Sequence, residues 1–121
     1  MKRRSFRKLK SQGEPRQHHS VYVVLLDEAA RKMAPRGSRK RADAESKPCV
    51  YVGMTGLTPE ERFENHKNGV KAARVTRLHG IRLMPELFEH LNPMPYEAAL
   101  VMEEELAEDL RAEGYCVFGG H

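Results

Sequence analysis

The sequence is poor in the features that mark a secreted or membrane chain. Among 121 residues it has two cysteines, Cys49 and Cys116. That is too few for a disulfide framework and too few to complete a four-ligand zinc site unaided. It has no run of 18 apolar residues, so no membrane span is expected. Its charged N-terminus lacks the apolar core of a secretory signal. There is no internal repeat, no zinc-finger spacing, no recognition-helix signature and no evident stacking platform for reading bases. These absences lead to the expectation of one small soluble domain, cytoplasmic, that buries about two thirds of its unfolded surface.

Charge is abundant and uneven. The net charge of +4 conceals a basic front and an acidic back: residues 1–50 hold 14 Lys/Arg against 5 Asp/Glu, and residues 51–121 hold 7 against 12. Such asymmetry suggests a polyanionic partner, nucleic acid foremost. Residues 1–19 have no apolar period and read as a disordered basic arm. Val21 to Leu26 and Cys49 to Gly53 are β-branched runs of strand length. Between them, 27–48 is a long basic connection in which Glu28 to Met33 adds at most a helical turn.

Thr58 with Glu61 forms a capping box, and Pro59 takes the first helical position, where its missing N–H costs nothing. This predicts a helix to about Lys67, and a second short helix is expected over Val70–Leu78. Ile81–Met84 alternates like a strand that Pro85 confines to an edge. Tyr96 to Glu113 is the clearest helix, stopped by Gly114, and a last apolar run covers Tyr115–Phe118. The order implies an α+β domain.

The long helix carries the sharpest local signal. Tyr96, Ala99, Leu100, Leu106, Ala107 and Leu110 trace one helical face, and Glu103 points with them. A carboxylate on an apolar face has to be paired, protonated or metal-bound, because an isolated buried charge is very costly. A salt bridge at the margin of the face is the plainer alternative. On the helix that starts at Pro59, Arg62 and His66 share a face. An Arg fork suits a phosphate oxygen, and a His exchanges protons near neutral pH.

Together these residues resemble the GIY-YIG nuclease superfamily, named for two short strand motifs that stand here as Val21-Tyr22-Val23 and Tyr51-Val52-Gly53. Arg62 and His66 follow on the next helix. Glu103 lies in the segment Ala98-Ala99-Leu100-Val101-Met102-Glu103, with Leu106 beyond. The likeness covers residues 20–120. It departs from the family in three places: the long connection at 27–48, Val21 in place of the first glycine, and no Asn after Asn92, where Gly119-Gly120-His121 stands instead.

The resemblance implies a small three-stranded antiparallel sheet flanked by helices over residues 20–121, with a basic insertion at 27–48. It also implies metal-dependent hydrolysis of DNA phosphodiester bonds by an endonuclease. One buried-face carboxylate matches a single Mg²⁺, or another divalent cation such as Mn²⁺, held by Glu103 with waters and a phosphate oxygen. In that scheme Arg62 neutralises developing charge. Tyr22 and Tyr51 flank the attacking water, with Tyr22 relaying its proton if nearby cations lower its pKa. His66 is an alternative base.

Lys67, Lys71, Arg74 and Arg77, with Arg36, Arg39, Lys40 and Arg41 of the insertion, are candidates to track a phosphate backbone. The competing reading is a catalytically impaired nucleic-acid-binding module of the same fold. A third is a scaffold whose acidic helix face (Glu104, Glu105, Glu108) docks a basic partner.

Overall fold

The computed structural model describes residues 17–34 and 47–120. Most of the basic arm, the candidates Arg36, Arg39, Lys40 and Arg41, and His121 lie outside the described residues. The first β-branched run becomes β1 (Ser20–Leu26) and the second becomes β2 (Cys49–Thr55). They pair antiparallel with Tyr22 opposite Gly53 and Val24 opposite Tyr51. β3 (Gly80–Leu83) adds antiparallel to the other side of β1. β1 is an inner strand, and Val21, Tyr22, Val23 and Val24 are all buried, as a continuous apolar run suits a strand with both faces covered.

The sheet has one strand more than expected. The run after the long helix forms β4 (Cys116–Gly119), which pairs parallel with β2 and gives the order β3-β1-β2-β4. The expected three-stranded antiparallel sheet is thus corrected to a four-stranded mixed sheet, and the α+β class stands. Cys116–Phe118 is apolar without alternation, so periodicity does not separate it from an apolar tail. The parallel direction follows from the helical crossover that returns the chain to the sheet.

Helix α1 spans Pro59–Lys67 with both halves of the Thr58/Glu61 capping box formed. The next helix, α2, is shorter than predicted at Arg74–His79. Gly69 and Lys71 adopt left-handed φ values of 80° and 49°, and a right-handed helix cannot run through two such residues. The preceding segment is consequently a turn. Helix α3 spans Tyr96–Ala112 and buries Ala98, Ala99, Glu103, Leu106, Ala107 and Leu110. It packs on β2, β4 and β1, while α1 packs on α2, β3 and β1. Among the described residues no helix is long and apolar enough to cross a membrane.

Two details extend β1 where β3 stops. The Asn92 side chain takes the place of a strand residue: its Oδ1 accepts from the Val21 N–H at 2.9 Å and its Nδ2 donates to the Val21 carbonyl at 2.7 Å. One step further, His19 pairs with Met94 through two backbone hydrogen bonds of 2.9 and 2.8 Å. The last residue of the predicted arm is therefore part of the sheet edge. Replacing Asn92 by Ala leaves both Val21 groups without partners, and a loss of about 1–3 kcal/mol is expected, measured as a lowered urea midpoint with an unchanged m-value.

Candidate functional site

The β1–β2 register decides where the two motif tyrosines meet. Residues directly opposite in an antiparallel pair share a face, so Tyr22 and Tyr51, two steps apart along the ladder, project to the same side. Their rings lie 6.2 Å apart. Gly53 sits directly opposite Tyr22, and a Cβ there would come within 2.6 Å of the Tyr22 hydroxyl. The glycine of the second motif is needed because the first motif's phenol crosses above it.

Helix α1 closes this face from above. His66, wholly buried, sets its ring 6.0 Å from Tyr22 and 5.5 Å from Tyr51. Its Nε2 is 2.8 Å from the Tyr22 hydroxyl. Its Nδ1 accepts the backbone N–H of Ala73 at 3.2 Å. A nitrogen that accepts an N–H carries no proton, so the ring proton of neutral His66 is on Nε2 and is donated to the Tyr22 oxygen. Burial first, then the charge of Arg62, lowers the His66 pKa to about 4. The imidazole is a neutral donor at working pH. Its two nitrogens are engaged by the Ala73 amide and the Tyr22 hydroxyl, and its ring is buried.

Arg62 shares the α1 face as predicted, and the turn before α2 fixes its direction. Its guanidinium donates to the carbonyls of Val70 at 3.2 Å and Lys71 at 2.9 Å. Its charge acts on the Tyr22 phenol, pulling its pKa down. Glu103 is 7% exposed, and its carboxylate acts electrostatically on both Tyr22 and Tyr51. Residues from β1, β2, α1 and α3 thereby meet at one place.

The electrostatics differ from expectation in one respect. Arg62 does pull the Tyr22 phenol down, but burial, seconded by Tyr51, outweighs it and holds the pKa above the usual phenolic value. Burial and then Glu103 raise Tyr51 as well. Both hydroxyls are firmly protonated at rest. Among the described residues there is no cluster of three or more His, Cys, Asp or Glu side chains that could hold a metal ion.

The predicted phosphate contacts divide. Lys67 donates to the carbonyls of Gly80 at 2.8 Å and Arg77 at 3.4 Å, so it fastens the α2–β3 junction. Lys71 is exposed, and its backbone carbonyl accepts from Arg62. Arg74 and Arg77 are exposed on α2. Cys49 and Cys116 are opposite partners on β2 and β4, both buried, and burial followed by the neighbouring thiol pushes Cys49 up to about 12. A thiol held protonated in this way is not a nucleophile.

Sequence reasoning missed the Ala73 amide, the Val70 and Lys71 carbonyls and the pairing of His19 with Tyr96. The first two are backbone groups with no residue signature, and the third joins positions far apart in the chain. No protein-family model matches the chain, and no curated protein or solved structure matches it significantly.

The depressed His66 pKa has a pH consequence. Between pH 6.5 and about 4 the unfolded chain binds a proton that the folded chain refuses, so stability falls as the solution is acidified through that window and is unaffected above it. A loss of about 2 kcal/mol between pH 7 and pH 5 is expected from such a shift. His66→Gln should flatten that dependence in urea titrations at the two pH values.

Proposed function

We propose that the chain is a metal-dependent endonuclease of the GIY-YIG type that hydrolyses DNA phosphodiester bonds. The observation that carries the reading is the convergence of two phenols, a guanidinium, a neutral imidazole and a buried carboxylate on one face. These are the five residues the motif layout singles out, and four separate elements supply them.

Arg62 is braced by backbone carbonyls, so its charge is preorganised toward the phosphoryl oxygens with little reorganisation during reaction. The Tyr22 oxygen accepts a hydrogen bond from His66, an environment that favours the phenolate; the phenol first loses its proton to solvent, and the phenolate then takes the proton of the attacking water. Tyr51 orients the water or the phosphate. Glu103 is the residue to hold Mg²⁺ or another divalent cation. A single carboxylate suits an ion that keeps most of its waters, and such an ion supplies charge stabilisation on the phosphate and leaving oxygen. Exposed Arg74 and Arg77, with the cations of residues 1–16 and 36–41, supply sequence-independent attraction to the backbone.

A second reading, a nucleic-acid-binding module without cleavage, is favoured by one observation: burial raises both phenols and so opposes proton transfer. Nicking of supercoiled plasmid separates the two. Wild type is expected to nick with Mg²⁺ or Mn²⁺ and not with EDTA, and Glu103→Gln and Arg62→Ala should abolish nicking. Tyr22→Phe should lower the rate about 10²- to 10⁴-fold with DNA binding retained. Binding without nicking under any divalent cation would make the second reading the correct one.

A further inference from the structure

We propose that His19 and Tyr96 form a stacking subsite for an unpaired nucleobase of a DNA or RNA strand. The inference deepens the nuclease reading and takes its substrate class from it. The two rings, 77 positions apart in sequence, meet edge to face with centroids 5.2 Å apart and an interplanar angle of 64°. Neither ring is loosely held. His19 is clamped by its two backbone bonds to Met94, and Tyr96 is the first residue of α3. Gly56 packs beside the imidazole, a Cβ there standing in ordinary contact at 3.4 Å from His19 Nε2.

The rings lie within an apolar surface that the core does not use. Tyr96 is 48% exposed, Leu57, next to Gly56, is 44% exposed, and Leu100, one helical turn beyond Tyr96, is 39% exposed. Rigid aromatic surface beside aliphatic side chains is what an unstacked base seeks, at about 1–3 kcal/mol per base.

Charge decides which part of a nucleic acid meets this surface. The outward side of α3 is acidic, with Glu97 beside Tyr96 and Glu104 and Glu108 further along, all exposed, and it repels phosphate. The chain leading into His19 has the opposite sign: residues 1–16 hold seven Lys/Arg against one Glu. A strand drawn in by those cations therefore turns a neutral base, not its backbone, toward α3. Bases inside a duplex have both faces covered, so the occupant is a base outside a helix. Tyr96 precedes Glu103 by two helical turns, about 10 Å of axis. That span places the subsite on the flank of the reacting phosphate.

The test is equilibrium binding of the full chain, without metal, to fluorescently labelled oligothymidylate, oligouridylate and a blunt duplex of matched length. Tyr96→Ala and Tyr96→Leu are expected to weaken binding of at least one single strand about 5- to 150-fold, the range that one stacked base provides. Tyr96→Phe should bind as wild type, and duplex affinity should be unchanged in all three. The leucine variant keeps apolar bulk on the helix, so its loss reports the ring. Equal affinity of Tyr96→Leu and wild type for both single strands would overturn the proposal, as would an equal loss on single strand and duplex. Because binding is read without metal, its failure beside intact plasmid nicking removes only the subsite. Ring-dependent binding by a protein that never nicks removes only the nuclease reading.

Discussion

The hydrogen bond between His66 and Tyr22 is the interaction on which the rest of the site depends. It crosses from α1 to the central strand and buries two polar rings, and such burial is tolerable only where each polar atom has a partner. The partners come from the turn between α1 and α2. Gly69 and Lys71 bend the chain through left-handed conformations. That bend presents the Ala73 amide to His66 and the Val70 and Lys71 carbonyls to Arg62. One short turn thus sets the protonation of the imidazole and the aim of the guanidinium, and both of these residues bear on the same phenolic oxygen.

The arrangement trades stability and acidity against organisation. Burial opposes charge on Tyr22, Tyr51 and His66 alike, so the resting site is a set of neutral groups around one fixed cation, Arg62, with the Glu103 carboxylate facing them from α3. On the proposed reading such a site is quiet until a phosphate and a divalent cation alter the local field. The His66 hydrogen bond and the Arg62 charge then favour the ionised form of Tyr22 that burial disfavours at rest.

Much of this was legible in the sequence for identifiable reasons. The β-branched runs marked β1 and β2, the capping box marked the start of α1, and helical periodicity picked out Glu103, which is buried on α3. The α1 spacing put Arg62 and His66 on one face. The sequence concealed features that depend on backbone groups or distant pairings. Val70–Ala73 reads as the beginning of a helix because only the φ values of Gly69 and Lys71 forbid it. β4 is apolar without alternation and does not announce itself. Lys67 looks like a phosphate ligand, yet it is occupied by carbonyls at the α2–β3 junction. The Ala73 amide that fixes the His66 tautomer has no signature in the sequence. Asn92 gives no local hint that it substitutes for a strand beside Val21.

The most direct measurement is a long-range ¹H–¹⁵N correlation spectrum of the histidine rings, recorded from pH 7 to pH 5 with His66 assigned by substitution. The account predicts a neutral His66 with its proton on Nε2 throughout that range. A His66 that is protonated on Nδ1, or that becomes an imidazolium near pH 6, would contradict it, and Tyr22 would then lack the donor around which the site is built.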